Sequence, residues 1–194
     1  VYVANSWSYT VSIIRTSDNA VVNTISCGGY LQGISVNHRG DYFYVTNTSS
    51  DSLLKYRTSD HAFITSVPVG SEPYDIAITP DDSYAYVVNY YSDNVSVVDL
   101  ANDAVVKTIS VGSYPCDIAI TPNGKYAYAV NKYSNTVSVI STENSSVIAT
   151  VTVGSYPYGV AVAPSGNYAY VVNKYGSSYS YYSYAGSISI IRTS

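Results

Sequence analysis

The chain has 194 residues, of which 46 % are hydrophobic and 11 % are charged, and its formal net charge is −4 at pH 7. The apolar content excludes a disordered polymer, and the scattered Lys and Arg residues argue against nucleic acid as a partner, because phosphate backbones are bound by clustered basic side chains. No apolar run approaches the roughly 18 residues of a membrane-spanning helix, so we expect no membrane insertion.

A repeat begins at the first residue. Copies of one stretch, each closed by an asparagine, occupy Val1–Asn5, Tyr42–Asn47, Tyr84–Asn89, Tyr126–Asn131 and Tyr168–Asn173. The closing asparagines lie 42 residues apart every time. A fixed period of this length indicates one supersecondary unit repeated about 4.5 times, and therefore a single repeat array over residues 1–194.

Each unit contains four short runs rich in Val, Ile, Thr and Tyr, bounded by Gly, Pro, Asn or Ser. The first run of each complete unit is predicted at Ile34–Asn37, Ile76–Thr79, Ile118–Thr121 and Val160–Ala163. The second runs are the repeat stretches above, and one unit continues with Thr136–Ser141 and Val147–Val153. No segment of useful length has helical periodicity. We therefore predict an all-β fold, a β-propeller built from 42-residue four-stranded blades.

Blades of a propeller stack face to face, so both faces of a middle strand are buried. We therefore expect the small Ala85 and Ala127 where neighbouring blades approach closely.

The two ends of the array leave ring closure open. The same third-strand sequence occurs at Val11–Ser17 and at Ile188–Ser194, so the terminal units duplicate each other. We predict either five blades with incomplete terminal blades or a part of a larger propeller. Unpaired terminal edge strands could then mediate self-association. Because the chain opens within a strand and contains no Met, we expect a processed chain or a segment of a longer one.

Aromatic residues concentrate in the turns between second and third strands and in the connections between blades, which a propeller places on one face. We predict ligand-contacting residues at Trp7, Tyr90, Tyr91, Tyr133, Tyr156, Tyr175, Tyr179, Tyr181, Tyr182 and Tyr184. The last four belong to a turn lengthened by nine residues, which is rich in Tyr, Ser and Gly. Tyr supplies contact area at low entropic cost, and its ring stacks on sugars, so we hypothesise a ligand- or glycan-contacting face.

Among polar residues, the closing asparagines are expected to bond the backbone of the following turn. Asp75 and Asp117 begin first strands at equivalent positions, and two carboxylates across a channel could hold Ca²⁺. Gly33 and Gly159 take that position in the other units, so we predict no metal site.

Glycosylation sequons place Asn94 and Asn144 in turns that we expect to be exposed. His38 and His61 have no recognisable nucleophile or carboxylate partner in the sequence, so we predict no catalytic residue and no cofactor.

The stretch Tyr-Ala-Tyr-Val-Val-Asn, followed by Asn-Thr-Val-Ser-Val-Ile, Val-Gly-Ser-Tyr-Pro and Ile-Ala-Ile-Thr-Pro-Asn-Gly, resembles the YVTN family of β-propeller repeats. Residues 44–47 spell that tetrapeptide. The family is similar to propeller domains of archaeal surface-layer proteins. The resemblance implies an extracellular or cell-surface location, a non-enzymatic structural, adhesion or interaction role, and surface proteins or glycans as partners.

YVTN repeats also resemble the seven-bladed lactonases and the quinone-cofactor dehydrogenases. The alternative is therefore a propeller enzyme, a lactonase-like hydrolase or a dehydrogenase, whose site is completed by further blades.

Overall fold

The computed structural model describes residues 1–175 and 186–193. Within them the chain forms 18 β-strands and a short 3-10 turn at Ser6–Ser8, and the strands are arranged as five antiparallel sheets. The predicted all-β propeller architecture is confirmed. In this described part of the chain, no helix has the length and apolar composition needed to cross a bilayer.

Strands that follow each other in the chain are neighbours in every sheet. The first sheet contains β1 (Tyr2–Asn5), β2 (Thr10–Ile14) and β3 (Val21–Ser26). The second contains β4 (Leu31–Val36), β5 (Tyr42–Asn47), β6 (Ser52–Arg57) and β7 (Phe63–Pro68). The third contains β8 (Pro73–Ile78), β9 (Tyr84–Asn89), β10 (Asn94–Asp99) and β11 (Ala104–Ser110). The fourth contains β12 (Pro115–Ile120), β13 (Tyr126–Asn131), β14 (Thr136–Ser141) and β15 (Ser146–Thr152). The fifth contains β16 (Ser155–Val162), β17 (Tyr168–Tyr175) and β18 (Ser187–Arg192).

The first strand of each four-stranded sheet begins earlier than the sequence predicted. The pairing of β8 with β9 shifts register between Pro73 and Asp75, and that of β12 with β13 shifts between Pro115 and Asp117. Proline cannot donate a hydrogen bond to the ladder, and a bulge lets the strand continue past it.

Neighbouring sheets are held together by apolar side chains that alternate in direction along each strand. Ala85 and Val87 of β9 are fully buried against Tyr44 of the second sheet. Ala127 and Ala129 of β13 are fully buried against the third sheet. The prediction that small residues mark the close approach of blades is confirmed at Ala85 and Ala127.

The first strands β4, β8, β12 and β16 pack side by side in that order, and β1 packs against β4. Among the described residues, the first and fifth sheets share no comparable packing. The five sheets therefore form an open arc lined by β4, β8, β12 and β16.

Candidate functional site

Hydrogen bonds hold the turns between second and third strands against the connections between sheets. The side chain of Asp93 accepts a bond of 2.8 Å from the backbone N–H of Tyr114, and that of Asn135 accepts one of 2.8 Å from the N–H of Tyr156. Tyr114 and Tyr156 adopt φ values of 55° and 58°, in the left-handed region that costs non-glycine residues energy. These bonds keep both kinds of segment on one face, as the propeller geometry predicted.

On this face tyrosine rings form a continuous chain across the third, fourth and fifth sheets. We call it the tyrosine belt; it comprises Tyr74, Tyr90, Tyr91, Tyr114, Tyr133, Tyr156 and Tyr175. Ring centroids in contact along it lie 4.6 to 5.9 Å apart, in stacked, tilted or edge arrangements that aromatic quadrupoles favour. Five predicted site residues, at positions 90, 91, 133, 156 and 175, belong to the belt. Their contact with a ligand stays a prediction.

Trp7 lies elsewhere, on the first sheet. Its ring contacts Tyr30 at 5.8 Å, Tyr30 also contacts Tyr9, and Trp7 is 85 % exposed. The corresponding turn of the second sheet, at 48–51, carries no aromatic residue, so no described ring contact joins Trp7 to the belt. The other predicted residues, Tyr179, Tyr181, Tyr182 and Tyr184, lie outside the described residues.

Lys132 places an ammonium group among three tyrosine rings. Its Nζ atom lies 4.9 Å from the ring centroid of Tyr156, 5.3 Å from that of Tyr158 and 5.5 Å from that of Tyr90. A cation over aromatic faces is stabilised by their quadrupoles. None of the ion pairs between described residues includes Lys132, so its charge is open to an anionic group.

Asp75 and Asp117 do not face each other across a channel; they contact each other from the neighbouring strands β8 and β12. The backbone N–H of Ile118 donates to both, at 3.2 Å to Asp75 Oδ2 and at 2.9 Å to Asp117 Oδ1. Asp117 Oδ2 also accepts a bond of 2.6 Å from the N–H of Val160. At the equivalent position of β4, a Cβ atom on Gly33 would lie 2.9 Å from Asp75 Oδ1, so only glycine fits there.

Burial raises the pKa of Asp75 well above its ordinary value, and the hydrogen bond and negative charge of Asp117 raise it further. Two carboxyl groups in contact cannot both ionise easily, so they share a proton. Asp75 also accepts bonds from the backbone N–H groups of Ile76 and Ile118, which lower its pKa, but burial and Asp117 outweigh them. We therefore place the proton on Asp75.

Groups around the carboxyl pair are mostly neutral. Burial raises the pKa of the Cys116 thiol to about 12, with the charge of Asp117 adding to the effect, so Cys116 is not a thiolate nucleophile at neutral pH. Burial also raises the pKa of Tyr90 to about 12. The Tyr74 hydroxyl lies 3.2 Å from that of Tyr158, which links the carboxyl pair's strand to the Lys132 site.

One of the two histidines, His38, differs from the sequence expectation. His38 does have a carboxylate partner, since its Nδ1 lies 3.0 Å from Asp82, which also accepts bonds from the backbone N–H groups of His38 and Arg39. Asp82 belongs to the next unit, 44 positions along the chain, which is why the sequence did not suggest the pair. The contact joins two sheets and lies away from the tyrosine belt.

The sequon asparagines have different environments. Asn144 is exposed, as expected, in the turn between β14 and β15. Asn94 is not in an exposed turn: it is half-buried as the first residue of β10, and its Oδ1 accepts a bond of 2.7 Å from Asn89. Modification of either residue stays a prediction.

Sequence reasoning missed the roles of Lys132, Tyr74 and Tyr158 and the contact between Asp75 and Asp117. The sequence marks the two aspartates in one way: a proline, Pro73 or Pro115, stands two positions before each of them, where the bulge begins. In the described residues, no three His, Cys, Asp or Glu side chains gather as a metal site.

Several solved structures share the fold. Hydrazine synthase of Kuenenia stuttgartiensis matches with 28% identity and a TM-score of 0.78, over 84% of this chain and 46% of that one. A protein of unknown function from Desulfotomaculum acetoxidans matches with 18% identity and a TM-score of 0.80, over 89% of this chain and 59% of that one. A provisionally assigned 6-phosphogluconolactonase from Bacteroides uniformis matches with 18% identity and a TM-score of 0.76, over 89% of this chain and 60% of that one. The chain thus spans about half to three fifths of the length of these proteins. A search of curated protein sequences returns no significant match.

The family model described as a lactonase with a 7-bladed beta-propeller matches residues 10–111 and 101–188. This match overturns the expectation of a non-enzymatic surface, adhesion or interaction module, because the matched family is described as lactonases. The sequence-based error arose from giving the surface-layer resemblance more weight than the lactonase resemblance of the same repeats. The chain belongs to the seven-bladed β-propeller lactonase family.

Proposed function

We propose that the chain hydrolyses lactones, with Asp75 and Asp117 as its acid–base pair. The observation that carries this proposal is the contact between two carboxyl groups on β8 and β12, at the inner edge of a propeller of the lactonase family. Carboxyl groups whose environments push their proton affinities apart can divide acid and base roles between them.

The chemistry needs one water molecule. As the water oxygen attacks the lactone carbonyl carbon, Asp117 accepts a proton from that water. The bond between that carbon and the ring oxygen then breaks, and Asp75 donates its proton to the leaving oxygen. The product is a hydroxy acid, and transfer of the proton from Asp117 to Asp75 through their hydrogen bond restores the pair.

The tyrosine belt and Lys132 supply a binding surface beside this pair. Tyrosine faces suit the C–H faces of a sugar lactone, and the ammonium group of Lys132 suits an anionic group on it. This extends the ligand-contacting prediction for Tyr90, Tyr133 and Tyr156 to a substrate class. The assignment of the Bacteroides uniformis neighbour, a phosphorylated sugar lactonase by name, supports the same class.

Proton release during hydrolysis of glucono-δ-lactone tests the proposal. We expect lactone hydrolysis in the presence of the chain to be faster than the spontaneous reaction. Asp117→Asn and Asp75→Asn should each lower the catalysed rate by about 10²- to 10⁴-fold, which is the usual effect of losing a general acid or base. Asp99→Asn is the matched control, because Asp99 accepts backbone bonds from the turn after β10. A chain that does not exceed the spontaneous rate, or an Asp117→Asn variant as active as the control, would overturn the proposal.

The finer assignments from the sequence stay predictions. They are the YVTN type of the repeat, the exterior location and the use of the sequons. Lactone hydrolysis does not depend on any of them.

A further inference from the structure

One position of the inner strands carries a tyrosine, a cysteine and a tyrosine in three successive sheets. These residues are Tyr74 of β8, Cys116 of β12 and Tyr158 of β16, and the first two directly precede Asp75 and Asp117. The hydroxyls of Tyr74 and Tyr158 lie 3.2 Å apart. The strand between them contributes only the small side chain of Cys116, which leaves room for this contact. We call Tyr74 and Tyr158 the phenol pair.

The phenol pair has a hydrogen atom to donate. When two hydroxyls bond each other, one O–H donates and the other oxygen accepts, so the hydrogen of the accepting phenol remains free for a third group. Among the described residues, the two hydroxyls bond only each other. Burial raises the pKa of Tyr74 above its ordinary value, and the hydroxyl of Tyr158 adds to the effect. This phenol therefore stays protonated at neutral pH.

The rings of the phenol pair are fixed by their neighbours. The ring of Tyr74 stacks on that of Tyr90, with centroids 5.3 Å apart. The ammonium group of Lys132 lies 5.3 Å from the ring centroid of Tyr158. A donor that is already held in place needs no reorganisation when a charge develops beside it.

The phenol pair and the carboxyl pair share a neighbour, the thiol of Cys116. Its Sγ atom lies 3.7 Å from the backbone carbonyl oxygen of Tyr158. Burial has the largest effect on the pKa of this thiol, and the charges of Asp117, Lys132 and Asp75 also act on it. A small ligand placed over Cys116 therefore meets the phenol pair, the carboxyl pair and Lys132 together.

Hydrolysis of a lactone needs a donor that the carboxyl pair does not supply. Negative charge develops on the carbonyl oxygen when water attacks, while Asp117 acts on the water and Asp75 on the leaving oxygen. Donors aimed at such an oxygen stabilise the transition state. We propose that the phenol pair donates a hydrogen bond to the carbonyl oxygen of the lactone, a role that rests on the proposed lactone hydrolysis.

Removal of the two hydroxyls tests the proposal, because phenylalanine keeps both rings and their contacts. We expect the double variant Tyr74→Phe/Tyr158→Phe to lower kcat for glucono-δ-lactone by about 10²- to 10³-fold, the usual effect of losing an oxyanion donor, with KM little changed. Each single variant should lose less, since one phenol remains to donate. Tyr84→Phe is the matched control, because Tyr84 is 39 % exposed at the start of β9, the end of that strand farther from Tyr90.

The separate effects on kcat and KM distinguish this role from a structural or binding role. Loss of a contact made only in the transition state lowers kcat and kcat/KM equally, whereas loss of ordinary binding raises KM. A double variant as active as the control, or one with a raised KM and an unchanged kcat, would refute the role of the phenol pair and leave lactone hydrolysis standing. If thermal unfolding shows that the double variant is unfolded, the single variants decide by the same criteria. A wild-type chain no faster than the spontaneous reaction would overturn both proposals.

Discussion

The side chain of Asp75 occupies a place where its charged form is unfavourable. It lies half-buried beside Asp117, and its pKa is raised by desolvation and by the neighbouring carboxyl group. A carboxyl group whose folded pKa lies above its unfolded value contributes stability at low pH, and that contribution is lost as the pH rises through the folded pKa. Asp75 thus links folding to pH in the direction opposite to a carboxylate in an ion pair.

Asp75→Asn should remove this dependence, because the amide cannot ionise. We expect the unfolding free energy of the wild type, relative to that of Asp75→Asn, to fall as the pH is raised from below the ordinary aspartate pKa toward neutrality. Urea denaturation at a series of pH values measures the difference. A difference that does not vary with pH would show that Asp75 titrates as it does in the unfolded chain.

The closing asparagines serve the fold through side chains rather than through the backbone alone. Asn131 is fully buried, and its amide donates bonds of 3.0 and 2.9 Å to the hydroxyls of Thr136 and Ser138. Asn47 instead bonds the backbone N–H groups of Ser49 and Ser50, as predicted for all five asparagines. The period of the sequence located these residues, but the partners depend on the hydroxyls that face them.

Asn131→Ala should lower the unfolding free energy by about 1–3 kcal/mol, because it leaves the buried hydroxyl of Ser138 without its amide partner. Asn102→Ala is the matched control, since Asn102 is exposed in the turn after β10 and bonds only Asp99 there. Chemical denaturation compares the two variants. Equal effects would mean that the buried amide contributes no more than a surface turn residue.

At the scale of strands and sheets, the tight stacking of neighbouring blades depends on small residues in the second strand. Ala127 is fully buried where β13 meets the third sheet. Enlarging a side chain in a well-packed interface forces displaced rotamers or backbone shifts.

Ala127→Leu should therefore destabilise the chain by about 1–3 kcal/mol. The control is Ala104→Leu, at the exposed first residue of β11, where the added side chain meets solvent. Thermal unfolding of both variants would reveal the difference. If Ala127→Leu unfolds at the wild-type temperature, the sheets do not pack as closely as the structure indicates.

The strands show which features of the fold and the site could be predicted from the sequence and which could not. The asparagine period gave the second strands, and the turn chemistry gave the shared face of Tyr90, Tyr133 and Tyr156. The start of β8 was misplaced because a bulge after Pro73 continues the strand beyond the regular alternation. Asp75 follows this bulge on β8, and Asp117 follows the equivalent bulge on β12. Their contact joins two neighbouring sheets, so the carboxyl pair could not be read from spacing alone.

For the whole molecule, five sheets form an arc whose inner strands carry the carboxyl pair and whose face carries the tyrosine belt. The family match assigns this arc to the lactonase propellers. The resemblance of the repeats to surface-layer propellers favoured a surface module, and charged residues are few. A site that uses one charged carboxylate, one neutral carboxyl group and one lysine needs few of them.

The pH dependence of kcat/KM for lactone hydrolysis tests this account most directly. We predict that activity falls at high pH as Asp75, with its raised pKa, loses the proton that it donates to the leaving oxygen. A rate that simply increases with hydroxide concentration, or a fall at high pH that persists unchanged in Asp75→Asn, would contradict the assignment of the carboxyl pair.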